Sequence, residues 1–262
     1  MIPAAFDLAG QVAVVTGAGS PDGIGFATAA LLGELGAAVV LGGTSERVHQ
    51  RAGELREQGV QAEAVIGDLT DPDTAARTVA AAMRQWNRLD ILVNNAGMIS
   101  VAEPDFQAGT LLETDVVSWQ SSLRRNLDTA FHMTRAALAV MRGRGYGRVV
   151  MVSSVTGPVM AMRADVAYAS AKAGIVGFAR ALAVDHGSEG ITVNAVAPGW
   201  IATGSQTESE SADGRHTPLG RSGRAEEVAA AIAWLASPGA AYVTGQCLVV
   251  DGGNSVAEQR AT

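Results

Sequence analysis

Tyr168 and Lys172 stand four residues apart in the run Tyr168-Ala169-Ser170-Ala171-Lys172. On a helix that spacing sets both side chains on one face. The pairing is selective, because the chain has three tyrosines and eighteen of its nineteen basic residues are arginine, which leaves Lys172 as the sole lysine. Arginine keeps its proton and carries a planar, bulky head, whereas lysine is a compact charge on a flexible stem. A phenol beside an ammonium group is suited to passing a proton to or from an oxygen. Its free pKa, near ~10, is too high for efficient exchange at neutral pH, and a neighbouring positive charge lowers it. Tyr168 is therefore expected to titrate below its ordinary value. The alternative, a surface Tyr–Lys stack, uses neither property.

A second chemical signal lies near the start of the chain, in Thr16-Gly17-Ala18-Gly19-Ser20-Pro21-Asp22-Gly23-Ile24-Gly25. Glycine lets backbone approach a phosphate closely, and a helix that begins here offers free N–H groups and partial positive charge to an anion. Tight turns use glycine as well. The position of this cluster, after a first strand and before a first helix, favours the dinucleotide-binding reading.

These residues need a scaffold, and the rest of the chain supplies one. Valine-rich runs predict strands at Gln11–Thr16, Ala37–Leu41, Val60–Ile66, Leu89–Asn94, Arg148–Ser153, Ile191–Ala195 and Gln246–Val250. Between them, apolar spacing predicts helices at Ile24–Leu35, Glu46–Gln58, Pro72–Trp86, Val116–Met141, Val166–His186 and Ala225–Ala236. Continuous apolar strands alternating with helices imply an α/β fold, a Rossmann-type doubly wound parallel sheet of about seven strands with helices on both faces. Residues 1–262 read as one domain. Residues 202–223, rich in Ser, Thr, Gly and charge, read as a loop and a substrate lid.

With Asn94-Asn95-Ala96-Gly97 after the fourth strand, the Tyr168–Lys172 run, Pro198-Gly199-Trp200-Ile201-Ala202-Thr203 and the glycine loop, the chain resembles the short-chain dehydrogenase/reductase family. The pattern is most similar to its 3-oxoacyl-carrier-protein reductase-like members and extends from Leu8 to about Gly253. The resemblance implies a ketone or secondary alcohol as substrate and a nicotinamide dinucleotide as cofactor. It implies that Tyr168 exchanges the proton, that Lys172 tunes it and binds ribose, and that Ser154 in Ser153-Ser154-Val155-Thr156-Gly157 polarises the substrate oxygen. Ser153 is an internal rival one residue away. Asn126 is implied to hold a proton-relaying water; otherwise it is a polar helix residue with local partners.

Cofactor contacts are implied for Gly17, Gly19, Ser20, Asp22, Gly23 and Ile24, for Asp68 and Leu69 after the third strand, and for Asn95, Ala96 and Gly97. The same holds for Pro198, Gly199, Ile201 and Thr203, which should flank the nicotinamide. Asp68 also reads as a helix cap with Asp71, and Asn95 as a brace of the sheet. At the end of the second strand, Gly42-Gly43-Thr44-Ser45-Glu46-Arg47 carries no acid at Gly43. A carboxylate there would bind a ribose 2′-OH and repel a 2′-phosphate, so its absence favours NADP(H), with Thr44, Ser45 and Arg47 as partners. Thr44 and Ser45 also read as an ordinary helix cap. Asp22 argues the other way, since NADP-preferring members carry Arg or Lys there, and NAD(H) remains possible. Two departures stand out: the glycine loop is longer by Pro21 and Asp22, and the stretch between Gly97 and Asn126 is about eight residues longer than in compact members, which reads as a loop insertion within 98–115.

Composition narrows the alternatives. The 262 residues carry a formal net charge of −7 with no basic stripe, which disfavours nucleic acid. No apolar run has membrane-span length, and the first ten residues do not read as a secretory signal. The single cysteine, Cys247, excludes an intrachain disulfide and suggests a reducing compartment, so the expected location is cytoplasmic. The four histidines are scattered, and no metal site is expected. The family resemblance implies a homotetramer pairing the helices Val116–Met141 and Val166–His186. A non-catalytic dinucleotide sensor, or an isomerase or lyase on the same fold, are the competing functions; the presence of both Tyr168 and Lys172 counts against the first.

Overall fold

The computed structural model describes residues 2–97 and 109–258. Seven strands form one parallel sheet in the order β3-β2-β1-β4-β5-β6-β9: β1 (Val12–Thr16), β2 (Ala38–Gly43), β3 (Ala62–Ile66), β4 (Ile91–Asn94), β5 (Gly147–Val152), β6 (Ile191–Pro198) and β9 (Cys247–Val250). A two-residue pair, β7 (Ile201–Ala202) and β8 (Gly223–Arg224), lies outside it. The helices are α1 (Ile24–Glu34), α2 (Arg47–Glu57), α3 (Pro72–Trp86), α4 (Val116–Leu123), α5 (Thr129–Met141), α6 (Val166–His186), α7 (Glu208–Arg215) and α8 (Ala225–Ala236).

The strands read as unbroken apolar runs because both faces are covered. Ala13, Val15, Val39, Leu41, Ile91 and Val93 pack under α1, α2 and α8, with Leu32, Leu55 and Ile232 in the same cluster. Their neighbours Val12, Val14, Val40, Leu92, Val149 and Met151 face the other way, onto α3, α5 and α6 with Val79, Met133 and Ile175. Successive strand residues point to opposite faces, so two cores share one sheet. The sheet order reverses between β1 and β4, and the crevice at such a switch point, at the carboxyl ends of the strands, is where ligands bind in this architecture.

The opposite end of the sheet is tied by buried charge. The Arg148 guanidinium donates to the carbonyls of Gly147 (2.8 Å) and Gly190 (3.4 Å) and stacks 4.2 Å from the Tyr146 ring. Asp90 accepts from the Val12 amide and from Arg88. These groups join strands at the end away from the crevice.

The structure revises three expectations. The helix expected over Val116–Met141 is interrupted: α4 ends at Leu123, residues Arg124–Asp128 form a π-helical turn, and α5 starts at Thr129, whose N–H reaches back five residues to the Arg124 carbonyl. The stretch 202–223 is not all loop, because α7 lies within it. That helix starts at a reciprocal cap in which Glu210 N–H donates to Thr207 Oγ1 and Thr207 N–H to the Glu210 carboxylate, a Thr-x-x-Glu pattern. β6 runs on to Pro198, three residues past the expected end. Residues 98–108 of the expected insertion lie outside the described residues.

Candidate active site

The glycine loop is held from beneath by the end of β4. Thr16 Oγ1 accepts from the amides of Asn95 and Ala96, each at 3.0 Å. Asn95 Nδ2 donates to the Thr16 carbonyl (3.0 Å) and the Gly17 carbonyl (3.1 Å). Of the two readings of Asn95, its amide nitrogen takes the bracing one. Gly17 has φ +67°, which a side chain rarely adopts, and a Cβ on Gly25 would lie 2.5 Å from the Gly17 oxygen. Glycine at both positions lets α1 seat against the loop. Gly23 is the N-cap of α1 and brings no side-chain cap, so no N-cap side chain takes up the first-turn N–H groups, as a phosphate site at a helix N-terminus requires. The loop's extra residues are exposed: the Gly23 amide donates to the Ser20 carbonyl (3.2 Å), and Pro21 and Asp22 bulge outward. The bulge reaches the far wall, where Asp22 Oδ2 and Ser20 Oγ are the atoms nearest to where a Cβ on Gly204 would stand.

At the end of β2, Gly43 is fixed by packing. Its carbonyl accepts from the Gly67 amide (2.9 Å), and a Cβ added to it would run into Cγ1 of Val48. Val48 is fully buried in the first turn of α2 and also lies beside Gly19. The N-cap of α2 is Glu46, with no side-chain cap, so the capping role weighed for Thr44 and Ser45 is not taken. Ser45 Oγ instead accepts from Arg47 Nε (3.3 Å), which places a hydroxyl and a guanidinium together beside the strand end. Asp68 Oδ1 accepts from the Thr70 amide (2.9 Å), while Asp71 takes the cap of α3 through the Asp73 amide (3.0 Å). Asp68 is exposed and Leu69 is buried.

The central group sits where β5 leaves the sheet. Ser153 is buried, and its hydroxyl donates to the Lys172 carbonyl at 2.8 Å. Ser154 faces the other way: its oxygen accepts from the Thr156 amide at 3.1 Å, and its hydroxyl is near enough to the Tyr168 phenol to favour the ionised form. Lys172 is buried, with Nζ donating to the Val152 carbonyl at 3.2 Å and lying 5.5 Å from the centre of the Tyr168 ring. Gly157, at φ +109°, admits α6, because a Cβ there would strike the Ala169 carbonyl oxygen.

The electrostatics overturn the expected direction for Tyr168. Burial pushes its phenol up to about 12; the Ser154 hydrogen bond pulls down, and the carboxylates of Asp165 and Glu210 push further up. Lys172 does not offset this. Burial lowers its own pKa to about 8, and its ammonium is engaged by a backbone carbonyl rather than by the phenol oxygen. At neutral pH the pair is a neutral phenol over an ammonium ion.

Asn126 occupies the π-helical turn and is fully buried. Its Nδ2 donates to the Ser122 carbonyl at 3.0 Å, while Oδ1 has no hydrogen-bond partner among the described residues and is the atom that a Cβ on Gly97 would meet first, at 3.0 Å. A π-turn and an orphaned buried acceptor are both features that collect at functional sites. On the far wall, the Pro198 carbonyl accepts from the Val155 amide (3.0 Å), joining the end of β6 to the Ser154 segment. Gly199 leaves no room for a Cβ beside Asp251. Ile201 lies in β7, and Thr203 Oγ1 is 3.0 Å from Ser205 Oγ.

Three features of the site were not read from the sequence. Val48 looked like one more core residue of an amphipathic helix. The π-turn has no local signature. Asp165 had a weak signal in the sequence, an acid three residues before Tyr168, which reads as an ordinary helix cap; the structure shows it in N-cap position without a side-chain cap bond.

A sheet of this order with its crevice at the β1/β4 switch point is the frame of the dinucleotide-dependent oxidoreductases. A family model described as enoyl-(acyl carrier protein) reductase matches residues 17–255. The chain belongs to the short-chain dehydrogenase/reductase family and is an oxidoreductase of ketone and secondary alcohol groups that uses a nicotinamide dinucleotide. It is 42% identical over 247 residues to cis-4-hydroxycyclohexanecarboxylate dehydrogenase of Sinomonas cyclohexanicum, covering 93% of this chain and 96% of that protein. It is 37% identical over 251 residues to the 3-oxoacyl-(acyl-carrier-protein) reductase FabG of Vibrio cholerae, covering 94% and 98%. The crystal structure of a dehydrogenase/reductase from Sinorhizobium meliloti matches with a TM-score of 0.87 at 30% identity, covering 97% of this chain and 98% of that one. No helix among the described residues is long and apolar enough to cross a membrane.

Proposed function

We propose that the protein reduces a ketone, a 3-oxoacyl thioester or another small ketone, to a secondary alcohol with NADP(H), and runs the reverse reaction when the alcohol is in excess. The observation that carries this reading is the cluster at the carboxyl end of β5, where the Ser154 hydroxyl acts on the Tyr168 phenol and the buried Lys172 ammonium lies 5.5 Å from the Tyr168 ring. When bound, the dinucleotide supplies or takes up the hydride at the carbonyl carbon. Ser154 and Tyr168 together hold the carbonyl oxygen, and the neutral phenol of Tyr168 gives it the proton. Lys172 places positive charge beneath the phenolate left behind and donates to the ribose hydroxyls. The phenolate regains its proton from Lys172 by way of the ribose hydroxyls, and Lys172 in turn is reprotonated from solvent through a water relay that the orphaned Asn126 Oδ1 supports.

The fit to the dinucleotide rests on the chain's own shape. The uncapped start of α1 and the glycines at 17, 19 and 23 suit the pyrophosphate. Asp68 suits the adenine amino group, and the segment Pro198–Thr203 suits the nicotinamide end. Preference for the 2′-phosphate is supported by the acid-free Gly43 and by Ser45 with Arg47 beside it. The opposing feature, Asp22, is exposed on the outward bulge. The test is a fluorescence titration of NADPH against NADH, followed by nicotinamide absorbance with a ketone panel. Tighter NADPH binding with its consumption supports the reading; tighter NADH binding transfers the preference to NAD(H), and binding without turnover of any ketone or alcohol favours a sensor.

The two serines separate by experiment. Ser154→Ala removes the hydroxyl that meets Tyr168 and is expected to lower turnover by about a hundredfold, the scale of losing one oxyanion donor. Ser153→Ala removes the bond to the Lys172 carbonyl and is expected to cost about 1 kcal/mol of stability with a much smaller effect on turnover. Steady-state rates and denaturant unfolding of the two variants read both effects.

The assembly we propose is a cytoplasmic homotetramer of single-domain chains, with residues 202–223 as the substrate lid. Its support is the outer face of α5 and α6, where Phe131 is exposed and packs edge-on to His132 and at 6.3 Å from Phe178.

A further inference from the structure

A cavity of about 340 Å³ opens between the first turn of α6 and the segment Gly109–Leu111. Its wall is mostly apolar or small, with Leu111, Ala161, Met162, Val166 and Ala169 among the lining residues, and among the described residues Asp165 is the one ionisable group in it. Three observations set this carboxylate apart. It occupies the N-cap position of α6, where an aspartate ordinarily accepts from the helix's first amides, yet it makes no such bond. The preceding residue, Ala164, sits in left-handed backbone at φ 58°, a conformation a non-glycine residue holds only when its surroundings impose it. Among the described residues no arginine pairs with Asp165, not even Arg163 two positions away. The carboxylate is nevertheless close enough to Tyr168 to act on its charge. Burial raises its pKa to about 6, so it is ionised at pH 7.5.

An unpaired, half-buried carboxylate weakens a fold. A group kept at that disadvantage beside a reacting centre is a candidate for a ligand contact. Of the other charges near Tyr168 among the described residues, Glu210 of α7 is also negative and is bound to Thr207 within the helix cap, while the Lys172 ammonium is buried and turned to the Val152 carbonyl. We propose that Asp165 is a substrate-binding residue and that the cavity it lines takes the distal end of a ketone bearing a hydrogen-bond donor, a hydroxyl or ammonium group, and rejects a carboxylate there. This rests on the carbonyl-reductase reading above and narrows its substrate class. It also predicts that this chain disfavours a distal carboxylate of the kind that appears in the name of one relative.

The test uses four ketones of one ring, cyclohexanone substituted at position 4 with methyl, hydroxyl, amino or carboxylate, on the wild-type protein and on Asp165→Asn at pH 7.5. In the wild type, kcat/KM for the hydroxyl and amino ketones is expected to exceed that for the carboxylate by about tenfold or more, the scale of one charge contact near a protein surface. Asp165→Asn is expected to raise kcat/KM for the carboxylate ketone and lower it for the amino ketone, each by about tenfold, with the methyl ketone nearly unchanged. Its melting temperature is expected to equal or exceed that of the wild type. A carboxylate-to-amine ratio that is the same in both proteins overturns the assignment, as does a variant that melts lower and keeps the wild-type ratio. Equilibrium binding of the four ketones to the protein with oxidised dinucleotide, read by calorimetry, gives the same ratio without turnover. Binding with no reduction of any ketone therefore counts against the reductase reading alone, and binding of none of the four counts against the Asp165 site.

Discussion

Replacing Tyr168 with phenylalanine is expected to lower turnover by about a thousandfold, within the range set by losing a positioned general acid, while dinucleotide binding and the melting temperature stay close to those of the wild type. The ring packs over Lys172 and remains in the variant; only the hydroxyl that meets Ser154 is lost. Lys172→Arg is expected to lose a similar factor for a different reason. Lys172 is buried with its ammonium on the Val152 carbonyl, and a planar guanidinium needs a wider slot and different donor directions. The pH profile carries the signature of the pair. Tyr168 stays protonated up to about 12, so the proton for reduction is present throughout the working range. Lys172, lowered by burial to about 8, loses its charge first. Reduction by the wild type should therefore run flat below about 8 and decline above it, and Lys172→Met should abolish that inflection. The same shift has a stability sign. The folded state disfavours the charged lysine, so the destabilisation is fully present below about 8 and is relieved as pH rises from there towards the ordinary lysine value. Single-turnover rates across pH, with unfolding measured in the same buffers, check both. A Tyr168→Phe protein that keeps more than about a tenth of the wild-type rate removes the phenol from the mechanism.

The second large effect concerns cofactor choice. Gly43→Asp puts an acid where a 2′-phosphate would lie and is expected to weaken NADPH binding by about a hundredfold, the scale of a close like-charge contact. It is not expected to create an NADH enzyme by itself. Its Cβ meets Cγ1 of Val48, a buried, β-branched side chain with little freedom to turn aside. The overpacking should cost about 1–3 kcal/mol and misdirect the new carboxylate. Adding Val48→Ala removes the obstructing methyl, so the double variant should recover most of that stability and bind NADH more tightly than NADPH. Denaturant midpoints and dinucleotide titrations of Gly43→Asp, Val48→Ala and the pair form a cycle whose coupling measures the contact. A Gly43→Asp protein that binds NADH tightly at wild-type stability would falsify the role given to Val48.

Much of this architecture was legible in the residues. The helices Pro72–Trp86, Val166–His186 and Ala225–Ala236 have the bounds their patterns predict, because each begins at a cap, a proline or a sharp change in polarity and carries an unbroken apolar face. The seven strands were legible as apolar runs because helices cover both sides of the sheet. What escaped prediction depends on contacts between distant segments. The titration of Tyr168 depends on how deeply α6 is buried and on where Lys172 points, and neither is a property of the run Tyr168–Lys172. The choice between Ser153 and Ser154 depends on which side of β5 meets α6. The helix α7 was legible after all in Thr207-Glu208-Ser209-Glu210, and was missed because its few large apolar residues resemble a loop.

The π-helical turn at Arg124–Asp128 also fixes the rotational phase of everything after it. An α-helix turns by about 100° per residue, so a helix that accommodates one extra residue without lengthening its axis presents a different face beyond that point. In α5 the stripe Ala130, Met133, Thr134, Ala137, Leu138 and Met141 meets the sheet. Deleting one residue from the turn would restore an unbroken α-helix and swing that stripe by about 100°, bringing Phe131 and Arg135 towards the core in its place. The turn that gives Asn126 its orphaned oxygen thus also keeps α5 in phase with the sheet, so that the chain cannot straighten this helix without losing both.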